Sequence, residues 1–313
     1  MYTVSGGSRE YRVKPSDRRG VALVVVLALL VALGLTAGVV ARAVRLESNT
    51  VETLRARTVA RYAAESGVVA TEWRIQTLLD SLPLPAERAG AFRDPNVWLG
   101  PLAKAELGAA RFQVVVVDLN ARVDLNRSDS ATVQGLFAQF TGESRAAGIT
   151  AAIRTKPLYR VGELALVPGV DVKLAAAVAP YITVWSDGTV NLNSAPEPVL
   201  AAQPALGDAG ARGIVERRRS GELFTSTTSI VRQDLPMTSP SMDDTEDASF
   251  GDVDQAFTAA PAGQSLPAST APTHFLVVSR GWRAGHPLTH EVQAVYAAMG
   301  TRLVLQMWQE RDL

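Results

Sequence analysis

The chain of 313 residues contains no cysteine. This absence excludes disulfides, thiolate metal ligands and cysteine nucleophiles, and it leaves the compartment open because many envelope proteins also lack cysteine. The formal net charge is zero, because 31 basic residues balance 31 acidic ones. This balance argues against a surface that binds polyanions in general. The sequence has no P-loop, GxSxG or HExxH motif and no other catalytic constellation. The composition therefore points to a packed, non-enzymatic protein.

Charge is absent from the segment between Arg19 and Arg42. The run VALVVVLALLVALGLTAGVV, from Val21 to Val40, has the length of the hydrocarbon core of a bilayer, about 30 Å at about 1.5 Å per residue. Five basic residues precede it: Arg9, Arg12, Lys14, Arg18 and Arg19. Under the positive-inside rule this leader stays cytoplasmic. The segment predicts a single-pass anchor in the bacterial inner membrane, with the rest of the chain in the periplasm.

Three kinds of N-terminal segment are compatible with this run. It is a plain anchor, a conventional signal with its small-residue site at Ala41-Arg42-Ala43, or a pilin-type signal cut after Gly20. The glycine directly before the apolar run favours the pilin-type signal. The following residues, 41–80, contain no proline and place apolar side chains at helical intervals, which predicts that the helix continues to about Asp80. Their charged residues, Arg57 and Arg61 among them, are expected to form a solvated face.

The remainder predicts a sheet interrupted by a helical insertion. RFQVVVVDLNARVDLN reads as two strands about a tight turn at Asn120, and further strands are expected in HFLVVSRGWR, HEVQAVYAAM and RLVLQMWQE. The middle is rich in alanine and helical in pattern. In VDLNRSD and VNLNSAP, Asn126 and Asn193 stand at expected helix N-cap positions, each opening one subdomain. The fold class predicted is α+β.

An acidic loop rich in proline and serine is predicted before the last strands. It carries six carboxylates without nearby basic residues: Asp243, Asp244, Glu246, Asp247, Asp252 and Asp254. Such oxygen ligands suit calcium, although their spacing is not that of an EF-hand, and a solvated acidic loop is the alternative. Zinc is not expected at His286 and His290, because Pro287 places them in a turn.

Two segments resemble helix-hairpin-helix units, whose backbone amides can hold phosphates. They are LALVPGVDVKLAAAV and QPALGDAGARGIVERRRSGELF, the second with Arg212, Arg217, Arg218 and Arg219. This arrangement keeps a second function class open, a membrane-anchored DNA-binding protein of a DNA-uptake or type IV pilus apparatus. The first hairpin carries Glu163 and Asp171 where a phosphate site needs positive charge, which favours plain helix packing. Nucleic acid is therefore not the expected partner.

Taken in order, several motifs resemble the K-type minor pseudopilins of type II secretion systems, over residues 18–313. They are RRGVALVVVLALL, AESGV, YRVGELALVPGVDVKLAAAVAPYITVW, GTVNLNSAPEPVLAAQPAL and the strand-rich C-terminal end. The resemblance implies a long N-terminal helix packed on an antiparallel sheet, with a large SAM-like or helix-hairpin-helix-like domain inserted in that sheet. It also implies bound calcium, cleavage between Gly20 and Val21 by the prepilin peptidase, and N-methylation of Val21.

The implied function is to initiate or cap the pseudopilus tip, together with I-type and J-type minor pseudopilins, the major pseudopilin and the inner-membrane assembly platform. Most pilin-like proteins carry glutamate at the fifth mature position, which here is Val25. Because a carboxylate in a bilayer needs a partner, its absence predicts a first subunit, with none ahead of it. The predicted parts are a leader (1–20), transmembrane and stalk helix (21–80), start of the pilin-like domain (81–126), inserted helical domain (127–235, as 127–189 and 190–235), acidic loop (236–273) and C-terminal strands (274–313). A plain anchored periplasmic protein is the third alternative.

Overall fold

The computed structural model describes residues 17–227 and 266–313. Its helices are α1 Asp17–Ser81, α2 Pro85–Ala91, α3 Pro95–Leu99, α4 Ser130–Thr141, α5 Glu143–Thr155, α6 Val172–Val178, α7 Glu197–Ala201 and α8 Gly207–Arg219. Its strands are β1 Lys104–Leu107, β2 Ala110–Asp118, β3 Val123–Asp124, β4 Ile182–Thr183, β5 Val190–Asn191, β6 Ala268–Ser269, β7 His274–Arg283, β8 Thr289–Met299 and β9 Arg302–Asp312. Short 3₁₀ turns cover Gly100–Ala103, Leu119–Ala121, Val161–Leu166 and Ala179–Tyr181.

The chain divides into two compact units, Met1–Ala56 and Arg57–Leu313. In the first unit, the described side chains from Val21 to Arg55 are all exposed. They belong to α1, which in the described part of the chain is the helix long and apolar enough to cross a membrane. No other described residue buries these apolar side chains, as expected for a segment that is surrounded by lipid.

In the second unit, five antiparallel strands form a sheet in the order β1-β2-β7-β8-β9. The last residues of α1 pack on one face of this sheet through a stripe of small and branched side chains: Ala63, Ala64, Val68, Ile75 and Leu79. Gly281 of β7 permits this packing. A Cβ at that position would lie closer than 3.0 Å to backbone atoms of Ala60, Ala63 and Ala64. The predicted long N-terminal helix and antiparallel sheet are thus confirmed.

Residues 119–273 lie between β2 and β7, which are neighbours in the sheet. Their described part contains helices α4 to α8 around a separate apolar core, in which Leu125, Leu136, Phe137, Ile149 and Leu192 are fully buried. The same region contains two parallel pairs of very short strands, β3 with β4 and β5 with β6. The helical segment therefore begins and ends at adjacent positions on the sheet.

The two strands expected about a turn at Asn120 are present as β2 and β3, with the 3₁₀ turn Leu119–Ala121 between them, and β3 pairs with β4. One local expectation from the sequence was wrong, because Asn126 and Asn193 do not cap helices. The cap of α4 is Asp129, whose carboxylate accepts from the Thr132 amide at 2.7 Å, and Pro196 precedes α7. The two asparagines bind more distant segments, and a side chain engaged there cannot also cap.

Candidate functional site

The expected processing position lies on α1. Gly20 and Val21 follow its first residue, Asp17, by three and four positions, and the side chain of Val21 is exposed. Val25 lies one turn further along the helix and is also exposed. In the first unit this stretch is therefore an apolar helix whose described side chains are exposed.

A second exposed apolar surface belongs to the part of α1 within the second unit. Tyr62, Val69 and Trp73 are 64%, 58% and 66% exposed. Their spacings of seven and four residues place them on one side of the helix, away from the sheet-facing side. We call these three residues the apolar stripe. These three residues help to predict the helix from the sequence, but α1 contacts the sheet through its other side, with Ala63, Ala64, Val68, Ile75 and Leu79.

Charged pairs connect α1 to the edge strand β9. Arg57 lies 2.8 Å from Asp312 and Arg61 lies 3.2 Å from Glu310, while both arginine side chains stay 55% exposed, as expected for a solvated face. His290 of β8 hydrogen-bonds Asp312 between Nδ1 and Oδ1 at 2.7 Å. This bond, with the charge of Arg57, lowers the pKa of Asp312. Exposed pairs of this kind contribute little to stability, typically under about 1 kcal/mol each.

The turn between β8 and β9 is tied to the helices by side chains. Gln76 of α1 donates to the Thr301 carbonyl at 2.7 Å and accepts from the Leu303 amide at 2.9 Å. Arg88 of α2 donates to the Gly300 carbonyl at 2.9 Å. The Tyr296 hydroxyl donates to Glu72 at 3.0 Å, and burial next to that carboxylate raises the pKa of the tyrosine. The C-terminal strands therefore have a fixed position on α1.

Two asparagines clamp single distant residues of the helical insertion. Asn126 donates to the carbonyl of Leu158 at 2.8 Å and accepts from its amide at 3.0 Å. Asn193 likewise donates to the carbonyl of Phe224 at 2.8 Å and accepts from its amide at 2.9 Å. It also donates to the Thr270 carbonyl. In both cases one asparagine side chain satisfies the amide and the carbonyl of a single residue about 30 positions away.

A third asparagine binds the insertion to the sheet. Asn120 accepts from the amides of Thr273 and His274, both at 2.9 Å, and donates to Asp187 and Thr189. Each of the three asparagines ends a tripeptide of Asp or Asn, a buried leucine, and Asn, at 118–120, 124–126 and 191–193. Sequence reasoning missed these clamps, although the threefold occurrence of this tripeptide was a usable signal.

A buried carboxylate lies on the sheet face opposite α1. Val292 and Ala294 belong to the core beneath α1, so the alternating residues Glu291, Gln293 and Val295 point to the other face. Glu291 accepts from Arg280 at 2.7 Å, from Gln293 at 2.7 Å and from Arg311 at 2.9 Å. Burial by itself raises the pKa of Glu291, but these hydrogen bonds outweigh that effect and lower it. The network joins three neighbouring strands.

Two of the four arginines of the second hairpin-like segment, Arg217 and Arg219, lie near carboxylates. Arg217 hydrogen-bonds Glu222 and lies over the ring of Phe224, 4.7 Å from its centroid, while Arg219 lies 3.7 Å from Glu216. In the first hairpin-like segment, Asp171 caps α6 and pairs with Arg145 at 2.7 Å. A carboxylate therefore occupies the position where a phosphate would need positive charge.

The expected calcium ligands, from Asp243 to Asp254, lie outside the described residues. Within residues 17–227 and 266–313, no three or more metal-binding side chains are grouped to hold an ion. His286 accepts from the Leu288 amide through Nδ1, and His290 is bonded to Asp312.

Neither family models nor curated proteins match this chain. Among solved structures, it is similar to a chain in the crystal structure of the GspK–GspI–GspJ complex from the enterotoxigenic Escherichia coli type 2 secretion system. The alignment covers 82% of this chain and 99% of that chain, at 14% sequence identity and a TM-score of 0.42.

Proposed function

We propose that this chain is a non-enzymatic K-type minor pseudopilin that initiates or caps the tip of a periplasmic pseudopilus and so assists export of folded proteins across the outer membrane. The observation that carries the proposal is α1. Its apolar run follows Gly20 and has bilayer length, and the same helix ends as the element packed on an antiparallel sheet. A conventional signal or a plain anchor requires no such helix. Cleavage between Gly20 and Val21, with methylation of Val21, completes the proposal.

The helical insertion fits a subunit at the end of a filament. Helices α4 to α8 add a second core between β2 and β7. We take this insertion to consist of two subdomains of SAM-like or helix-hairpin-helix-like type. This bulk on the periplasmic head would obstruct a subunit stacking above it. Val25 agrees with the same position, because a first subunit has no neighbour whose terminal amine a glutamate could bind.

The apolar stripe is the surface we assign to the I-type and J-type subunits. Aromatic and aliphatic side chains that are more than half exposed on one side of a helix favour contact with another apolar surface. The remaining partners, the major pseudopilin, the prepilin peptidase and the assembly platform, follow from the role. Calcium at the acidic cluster from Asp243 to Asp254 is proposed on composition alone.

Co-purification tests this function. The full chain, tagged and co-expressed with I-type and J-type subunits, is expected to retain both through affinity and size-exclusion steps in detergent. Trp73→Glu places a charge in the stripe and should reduce recovery of the partners by about tenfold or more. Val97→Glu is the matched control, because Val97 is 76% exposed on α3 and lies outside the stripe. Failure of the unaltered chain to retain either partner, together with salt-sensitive DNA binding, would favour the DNA-handling class.

A further inference from the structure

A groove of about 680 Å³ lies between the sheet face opposite α1 and the first helical subdomain. We call it the outer groove. Its lining includes Arg122, Tyr159, Arg160, Trp185, Gln293 and Met307. This volume falls in the range of sites that bind drug-sized ligands, which is also the size of a short peptide segment.

The charged residues that line the outer groove are all basic. In the part of the chain that the structure describes, its lining contains three arginines, Arg122, Arg160 and Arg311, and no aspartate or glutamate. Arg311 is already bonded to Glu291. Arg160 is exposed, and its guanidinium group forms no hydrogen bond or ion pair with any described residue, although its carbonyl accepts from the Glu163 amide. Two guanidinium groups, those of Arg122 and Arg160, therefore remain for an anionic partner.

The state of Arg122 supports this assignment. Burial lowers the pKa of its guanidinium, and the charge of Asp118 opposes that effect only in part. Asp118 is itself occupied, since it accepts from Asn191 at 2.7 Å and from Ser194. A partly buried arginine without a bonded carboxylate is costly, and an incoming carboxylate would offset that cost.

The other lining groups suit a polypeptide. Tyr159 is 75% exposed, and with Trp185 and Met307 it offers apolar surface to side chains. The amide nitrogen of Gln293 is used by Glu291, which leaves its oxygen as an acceptor for a backbone N–H. The exposed Gln309 adds a donor and an acceptor. Aromatic groups beside arginines also suit single-stranded nucleic acid, but two uncommitted charges are few for successive phosphates.

We propose that the outer groove binds an extended acidic segment of another polypeptide, with carboxylates for Arg122 and Arg160 and apolar side chains between them. The site is separate from the apolar stripe and does not depend on processing of the N-terminus. Its ligand class follows from the guanidinium groups of Arg122 and Arg160, from the exposed aromatic surface of Tyr159 and from the amide oxygen of Gln293.

Fluorescence anisotropy tests the site with the full chain in detergent micelles. The probe is a dye-labelled hexapeptide of alternating glutamate and phenylalanine, compared with its lysine counterpart and with a labelled oligothymidine. We expect saturable, salt-sensitive binding of the glutamate peptide alone. Arg160→Gln should weaken it about tenfold, as for loss of one charge-assisted hydrogen bond. Arg122→Gln should weaken it similarly, with an unchanged circular dichroism spectrum.

Arg302→Gln is the matched control, because it removes an exposed arginine from β9 outside the outer groove. Its affinity should stay within about twofold of the unaltered chain. Three results would overturn the proposal. They are no binding of the acidic peptide, equal weakening by Arg302→Gln and Arg160→Gln, or binding of oligothymidine at least as tight as that of the peptide.

Discussion

Replacing Asn126 with alanine removes one side chain that holds a residue 32 positions away. Asn126 satisfies both the amide and the carbonyl of Leu158, at 3.0 and 2.8 Å. Leu158 is buried, so in Asn126→Ala its two peptide groups lose their partners without gaining bulk water. At about 1 to 3 kcal/mol for each unsatisfied buried group, the first helical subdomain should lose about 2 to 6 kcal/mol of unfolding free energy.

Hydrogen exchange measured by mass spectrometry gives the local readout. The amides around Leu158 should exchange at least tenfold faster in Asn126→Ala, because local opening becomes easier. Asn126→Asp should have a similar effect, since a carboxylate oxygen would face the Leu158 carbonyl. Asn49→Ala is the control, because the exposed Asn49 lies on α1 in the first unit. Unchanged exchange around Leu158 in both Asn126 variants would refute the clamp.

Two further substitutions test the packing of α1 on the sheet and the hydrogen-bond network of Glu291 on the opposite sheet face. Gly281→Ala should lower the free energy of unfolding by about 1 to 3 kcal/mol, because its methyl group would meet α1 backbone atoms that cannot yield. Gly148→Ala, at an open helical position, should instead raise it by about 0.5 to 1 kcal/mol, and thermal unfolding distinguishes the two signs. The pKa of Glu291 is lowered in the fold, so its stabilisation is present at neutral pH and is lost as pH falls through that pKa. Glu291→Gln should therefore melt below the unaltered chain at neutral pH, and the difference should shrink in acid; a constant difference would contradict the ionic account.

Much of the fold follows from local pattern. The apolar run and the proline-free stretch after it predict one helix, and α1 ends at Ser81, next to the expected Asp80. The strands β7, β8 and β9 coincide with segments rich in β-branched and aromatic residues. These features depend on the spacing of neighbouring residues, which a single sequence displays directly.

Partners distant in sequence could not be predicted in this way. The two arginines that bind Glu291 come from β7 and β9. The alternation of apolar and polar residues along a strand predicts the strand, but it does not show which other strands lie next to it. Asn126 looked like a helix cap because caps and long-range clamps use the same short polar side chain. Its partner, Leu158, could not be recognised from the sequence, because Asn126 binds backbone groups that every residue except proline has.

The mass of the mature N-terminus tests the central claim most directly. Membranes from cells with and without the prepilin peptidase are compared by mass spectrometry of the N-terminal peptide. We predict a terminus at N-methylated Val21 that disappears without the peptidase. A terminus at Met1 or Val44 in both strains would contradict the account and reduce the chain to an anchored or exported protein.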